Sequence, residues 1–191
     1  MDRFDGEGEA ARGPQAPPSA AARQVQPHVI VVMGIAGAGK TTVGRALAES
    51  LGWTFDDADD FHPVANVEKM HAGVALGDAD RAPWLATLRE LIARHVTRGE
   101  RGVLACSALK QSYREALLPH AAPRRIVAFV HLEVAPSVAE QRLAERRGHY
   151  MQPSLIASQV AALEPPRDAL WLDAELSVPE LVSRIRRALD L

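Results

Sequence analysis

The strongest chemical signal in this chain is Gly34-Ile35-Ala36-Gly37-Ala38-Gly39-Lys40-Thr41. The run fits G-x-x-x-x-G-K-[ST], the pattern of a phosphate-binding loop. Glycines let the backbone turn tightly and bring its N–H groups against phosphate oxygens. A helix starting just behind the loop aims its unpaired N–H groups and partial positive charge at the same anion. Lys40 can reach the outer phosphates, and the Thr41 hydroxyl suits a bound Mg²⁺. Gly34 through Thr42 is therefore the expected ATP-binding segment.

Further along, Asp57-Ala58-Asp59-Asp60 follows a short apolar run. In an extended segment Asp57 and Asp59 point the same way, because side chains repeat every second residue. Phosphoryl transfer to an alcohol needs one carboxylate near Mg²⁺ and another near the accepting hydroxyl. This pair can supply both; the plainer alternative is a solvated acidic loop. Lys69, Arg81, Lys110 and Arg114 are candidate anion holders, Arg with a bidentate fork. Taken singly, each also reads as an ordinary surface charge. Arg142, Arg146 and Arg147 cluster ahead of Gly148-His149-Tyr150. Arginines at a helix end before a glycine suit a mobile lid that closes over phosphates. They equally suit a helix C-terminus that favours cations. His62 can hydrogen-bond a polyol or sit idle on the surface.

These residues need elements to hold them. His28 to Met33 is a β-branched apolar run that reads as a buried strand. Thr42 to Leu51 has helical spacing. Trp53 to Phe55 is a second short strand, and Pro63 to Met70 a helix. Pro83 is expected to open a long helix with Leu85, Leu88, Leu91, Ile92 and His95 on one face. Gly102 to Cys106 and Ile126 to Leu132 read as strands, and Lys110 to Leu118 as a helix. Pro136 to Arg147 and Ser154 to Leu163 are helical. Ala169 to Leu172 is a weak fifth strand, and Val178 to Leu189 a last helix. Strands separated by helices imply an α/β fold with a parallel sheet. Ligands then bind at the carboxyl ends of the strands, which lines up the phosphate loop, the aspartates and Cys106 to Lys110.

Composition removes several classes. The chain has 191 residues, a one-domain length. Lys plus Arg is 22 and Asp plus Glu is 24, a net charge of −2. Neither nucleic acid nor an anionic membrane surface is attracted by that balance. The longest apolar runs fall short of a membrane span. Cys106 is the only cysteine, so no internal disulfide forms and a reducing compartment such as the cytoplasm is expected. The histidines and the cysteine lack zinc-site spacing. Residues 1–27 are rich in Ala, Gly, Pro and charge, and are expected to be a disordered tail. Residues 28–191 form the expected folded domain.

Together the motifs resemble the gluconokinase family, small P-loop kinases. The resemblance spans about residues 28–190. It rests on the phosphate loop, on Asp57-Ala58-Asp59-Asp60-Phe61-His62-Pro63 and Asn66-Val67-Glu68-Lys69-Met70, on Leu76-Gly77-Asp78-Ala79-Asp80-Arg81-Ala82-Pro83-Trp84-Leu85, and on Cys106-Ser107-Ala108-Leu109-Lys110 with Tyr113-Arg114. Arg146-Arg147-Gly148-His149-Tyr150-Met151 and Leu163-Glu164-Pro165 follow in the expected order. The resemblance implies a P-loop kinase fold: a five-stranded parallel sheet flanked by helices, with a mobile lid and a homodimer. It implies ATP- and Mg²⁺-dependent phosphorylation of D-gluconate to 6-phospho-D-gluconate. It puts Asp59 at the acceptor hydroxyl and Asp57 nearer Mg²⁺, has Arg81 hold the substrate, and lays Arg142 or Arg146 over ATP. This chain departs in carrying Ala36 and Ala38 where the family loop usually has Ser, and in a short Arg167-Asp168 after Pro166. The rival readings are a kinase for another hydroxy acid such as shikimate, and a nucleotide-binding regulatory module.

Overall fold

Val29–Met33 (β1) is buried along its whole length. Its side chains alternate between two cores, as strand geometry demands. The computed structural model describes residues 26–120, 123–145 and 154–191. In chain order the elements after β1 are α1 (Lys40–Leu51), β2 (Thr54–Asp57), α2 (Val64–His71), α3 (Asp78–Arg98) and β3 (Gly102–Ala105). They continue as α4 (Gln111–Leu117), β4 (Val127–Glu133), α5 (Pro136–Glu145), α6 (Ser154–Ala162), β5 (Ala169–Asp173) and α7 (Val178–Ala188). The five strands form one parallel sheet in the order β2-β3-β1-β4-β5.

Helices cover both faces. Val29, Val31 and Met33 pack with Leu88 and Ile92 of α3 and Leu117 of α4. Ile30 and Val32 pack with Val43 and Leu47 of α1 and with Leu181 and Ile185 of α7. A third cluster lies at the carboxyl end of the sheet. There Ile35 and Ala36 of the phosphate loop meet Leu109, Ala139, Leu143 and Ile156, so α5 and α6 brace the loop.

Three expectations change. The long helix starts at Asp78, five residues before Pro83, which lies inside it. Asp78 and Asp80 in its first turn complement the helix dipole. The N–H that Pro83 lacks would have gone to Ala79, and both residues are exposed, so water can serve that carbonyl. The second strand reaches Asp57, but a 3₁₀ turn at Ala58–Phe61 follows at once. Asp59 therefore stands on that turn and not on an extended segment. The described fold also includes Gln26 and Pro27, ahead of the expected boundary at residue 28. Pro27 is buried, and the Gln26 side chain bonds Asp190 O and Arg101. The tail expected over the residues before them lies outside the described residues.

Candidate active site

The phosphate loop runs from β1 to α1, and its shape depends on glycine. Gly37 has φ +81°, and a Cβ there would lie 2.5 Å from Ala139 O of α5. No other residue fits that approach. Gly39 has φ +92° and caps α1, whose first turn points along the loop. Lys40 Nζ arcs back to Ile35 O at 3.1 Å.

Beside the loop lies a cleft at the carboxyl ends of the strands. Ala36, Gly37, Gly39, Lys40, Thr41, Asp57, Asp59, His62 and Arg81 all line it. Thr41 Oγ1 donates to Asp57 Oδ2 at 2.8 Å, tying the start of α1 to the end of β2. Asp57 Oδ1 accepts the Asp59 N–H at 3.2 Å and so caps the 3₁₀ turn. Trp84 holds that turn from the other side: its Nε1 donates to Ala58 O at 2.7 Å. The His62 ring stacks on Trp84 with centroids 4.4 Å apart and an 11° interplanar angle. Burial, helped by the Arg81 charge, pushes the His62 pKa down to about 4. His62 is thus a neutral ring in the cleft near neutral pH.

Arg81 enters from the first turns of α3. Its Nη1 donates to Leu76 O and lies 3.4 Å from the Tyr113 hydroxyl. The guanidinium carbon sits 5.5 Å from the Tyr113 ring centre. Tyr113 in turn bonds Asp78. The arginine is thereby pre-set in direction, which lowers the ordering cost of gripping an anion.

Other expected residues lie elsewhere. Lys69 and Lys110 do not line the cleft. Lys69 pairs with Asp80 at 2.6 Å and Lys110 with Asp78 at 2.7 Å. Arg114 is buried and spends its guanidinium on Ala108 O, Leu109 O and Gln111 Oε1. It braces the loop after β3 and faces a separate small cavity beside Arg167 and Asp168. The sequence shows a cation near the active edge but not the direction it takes, and here the loop's own carbonyls claim it. Thr42 and Arg142 share a second groove on the far side of the phosphate loop, with Gly39, Ala174 and Val178. Arg142 Nη2 is fixed to Ala174 O at 3.0 Å. Arg146 and Arg147, and with them the centre of the expected lid, lie outside the described residues. Cys106 is buried, and desolvation pushes its thiol up to about 12, so it is no nucleophile.

Sequence reasoning missed several lining residues. Trp84 lay within a noted run, yet its clamp on Ala58 needed the fold. Met70 and Leu76 are buried apolar walls of the cleft. Ser107, Ser158 and Gln159 line it too, and no motif marked the last two. Among the described residues no cluster of three or more His, Cys, Asp or Glu forms a metal cage.

A parallel sheet in the order 2-3-1-4-5, a phosphate loop after β1 and carboxylates at and just past the end of β2 define a P-loop phosphotransferase. A family model described as an AAA domain matches residues 29–166. The chain is 49% identical over 144 residues to the gluconokinase of Gluconobacter oxydans, covering 75% of this chain and 79% of that one. It is 40% identical over 154 residues to the gluconokinase of Arabidopsis thaliana, covering 75% and 82% respectively. The crystal structure of a gluconokinase from Sinorhizobium meliloti superposes with a TM-score of 0.75 at 40% identity, over 86% of this chain and 92% of that one. This chain belongs to the gluconokinase family. It is a kinase, and its phosphate loop implies the use of ATP.

Proposed function

We infer that this protein transfers the terminal phosphoryl group of ATP to the primary alcohol of D-gluconate, giving 6-phospho-D-gluconate and ADP. The product enters the pentose phosphate and related sugar-acid routes. One observation carries the reading: the phosphate loop, Asp57, Asp59, His62 and Arg81 line a single cleft.

The division of labour follows from position. The loop amides and Lys40 hold the phosphates and stabilise charge on the transferring group. Thr41 Oγ1 and Asp57 Oδ2 are adjacent hard oxygen donors on the loop side of the cleft. With phosphate oxygens and water they suit Mg²⁺, which takes few protein ligands in such sites. When bound, the ion neutralises phosphate charge. Asp59 orients the acceptor hydroxyl and receives its proton as the new P–O bond forms. Arg81 grips the sugar-acid carboxylate, and the neutral His62 hydrogen-bonds its hydroxyls. Thr42 and Arg142 flank the nucleotide on the other side of the loop, with Arg146 closing over it from a lid. The enzyme works as a homodimer in the cytoplasm, where ATP is abundant; light scattering checks the oligomer.

The family's own motifs favour gluconate over shikimate. The H-P-x-x-N-x-x-K-M run builds the acceptor wall: His62 stacks on Trp84, Asn66 Nδ2 bonds Asp80 O at 2.8 Å, and Met70 lines the cleft. A coupled assay of ADP release over a panel of sugar acids tests the substrate. Gluconate-dependent release is expected, lost by at least about a hundredfold in Lys40→Ala. Release indifferent to every sugar acid would leave a regulatory nucleotide-binding module instead.

A further inference from the structure

In the cleft that Arg81 and Trp84 also line, the phosphate loop meets a side chain from α6. Gln159 Oε1 accepts the backbone N–H of Ala36 at 2.7 Å. A backbone N–H can only donate, so the carboxamide oxygen must face it. The orientation of the amide is thereby settled, and its Nε2 with two protons occupies the other fork. Gln159 lines the same cleft as Asp59 and Arg81, and so does Ala36. Neither lines the groove that holds Thr42 and Arg142. The contact therefore lies on the acceptor side of the loop.

The helix that carries Gln159 is anchored at several points. Ile156 is buried among Ile35, Leu109, Ala139 and Leu143. Just past the helix, the Glu164 N–H donates to Leu109 O at 3.0 Å, and Glu164 Oε2 accepts the Gln111 N–H at 2.6 Å. A side chain on so braced a helix holds its position without help from ligand. Ala36 has no hydroxyl of its own, so the polar group at this corner of the loop comes from α6.

We propose that Gln159 is a substrate-positioning residue: its oxygen fixes the Ala36 amide, and its NH₂ donates to a hydroxyl of the sugar acid. The proposal rests on the kinase reading above. Two variants separate the two ends of the amide. Gln159→Glu keeps an oxygen for Ala36 but replaces the donor with an anion that repels the acceptor's carboxylate. Gln159→Leu keeps the bulk and removes both ends.

Steady-state kinetics with gluconate and ATP varied in turn, together with melting curves, provide the test. In Gln159→Glu the KM for gluconate should rise about tenfold or more, the scale of a lost hydrogen bond plus repulsion. The KM for ATP should rise by less than that for gluconate, since the new anion also lies beside the phosphate loop, and the melting temperature should hold. In Gln159→Leu both KM values should rise, because the loop amide is released as well. A Gln159→Glu enzyme with unchanged KM for gluconate, or one altered only in ATP, would overturn the assignment. Wild-type activity keeps this distinct from the parent reading. If the wild type uses a different sugar acid from the panel, the same ratios are read with that acid. If no acid is used at all, the kinase reading and this proposal fall together.

Discussion

Two pairs of aspartates in this chain share a two-residue spacing but differ in what lies against them. Asp57 ends β2 and Asp59 stands on the turn behind it, and both line the cleft beside the phosphate loop. Asp57 is held by neutral donors, the Thr41 hydroxyl and the Asp59 N–H. Asp78 and Asp80 open α3. Asp78 binds Lys110 and Tyr113, and Asp80 binds Lys69 and the Gly77 N–H. The partners decide the use. A carboxylate held by neutral donors keeps its charge for a cation or a proton brought by ligand. A carboxylate already matched to lysine, at a helix N-terminus that favours it, is a structural fixture. Hydrogen bonds from their lysines, from Tyr113 and from Gly77 hold the carboxyls of Asp78 and Asp80 below the usual range.

The largest effects should fall on the first pair. Asp59→Asn keeps shape but removes basicity, and general-base catalysis contributes about 10²–10⁴ in rate. We expect turnover to drop by at least about a hundredfold with ATP affinity nearly intact, measured by ADP release and by nucleotide titration. Asp57→Asn should instead raise the Mg²⁺ concentration needed for half-maximal rate. If both variants keep most of their turnover at low Mg²⁺, the contrast between the pairs collapses.

Arg81 stands next in rank, because it lies on α3 beside the second pair yet lines the cleft of the first. Arg81→Ala removes a charge-assisted contact, on the order of 1.5–3 kcal/mol. The KM for gluconate should rise by about tenfold to a hundredfold, with a smaller change in turnover. Arg81→Lys should recover only part, since one ammonium cannot reproduce both the Leu76 contact and the grip on a carboxylate. A change confined to the KM for ATP would put Arg81 on the wrong side of the site.

A pH experiment sharpens the picture of the acceptor wall. His62 has a folded-state pKa near 4, below its ordinary 6.5. The neutral ring is the form the fold accepts. Its contribution to stability is complete above pH 6.5 and is lost as pH falls from there toward 4. Wild-type melting temperature should therefore decline between pH 6.5 and 4.5 more steeply than that of His62→Gln. Parallel slopes would mean that the ring is more open to water than its stack on Trp84 indicates.

Much of this is legible in the sequence. The phosphate loop announces itself because its glycines are forced by geometry, at Gly37 by the approach of Ala139. The central strand shows because Val29–Met33 is a β-branched run buried along its whole length, while the edge strands β2 and β5 are only partly buried and leave a weaker pattern. Lys40, Thr41, Asp57, Asp59, His62 and Arg81 were all singled out from the sequence, and the fold brings them to one cleft. The start of α3 was misplaced because a proline at a first-turn position is a strong local signal. The acidic residues ahead of it were the true opening, and their capping role shows only once Gly77 and the lysines are in place. Arg114 was misread for a related reason: charge is visible in sequence, while the direction of a side chain is set by carbonyls brought near through packing. Gln159 left no trace, because a lone amide on a short helix has no spacing to betray it.

The smallest effects should come from the second pair, and their smallness is the point. Asp80→Asn keeps an oxygen for the Gly77 N–H but weakens the bond to Lys69. Asp78→Asn does the same to Lys110. Both lysine side chains are partly exposed, and exposed ion pairs contribute about 0–1 kcal/mol. At most that is about a fivefold change in any constant it touches. The helix dipole adds a few tenths, screened by salt. Neither carboxylate lines the cleft, so turnover should stay within about twofold of wild type. Both carboxylates feel the Arg81 charge, and Asp78 has a further link to it through Tyr113, which it hydrogen-bonds and beside which Arg81 lies. Asp78→Asn should therefore raise the KM for gluconate by about two- to fivefold, while Asp80→Asn leaves it closer to wild type. Kinetics of the two variants side by side, at low and at moderate salt, decide the matter. A hundredfold loss of turnover in either would show that this pair too handles the reacting groups, and that lysine partners are no guide to which aspartates do the chemistry.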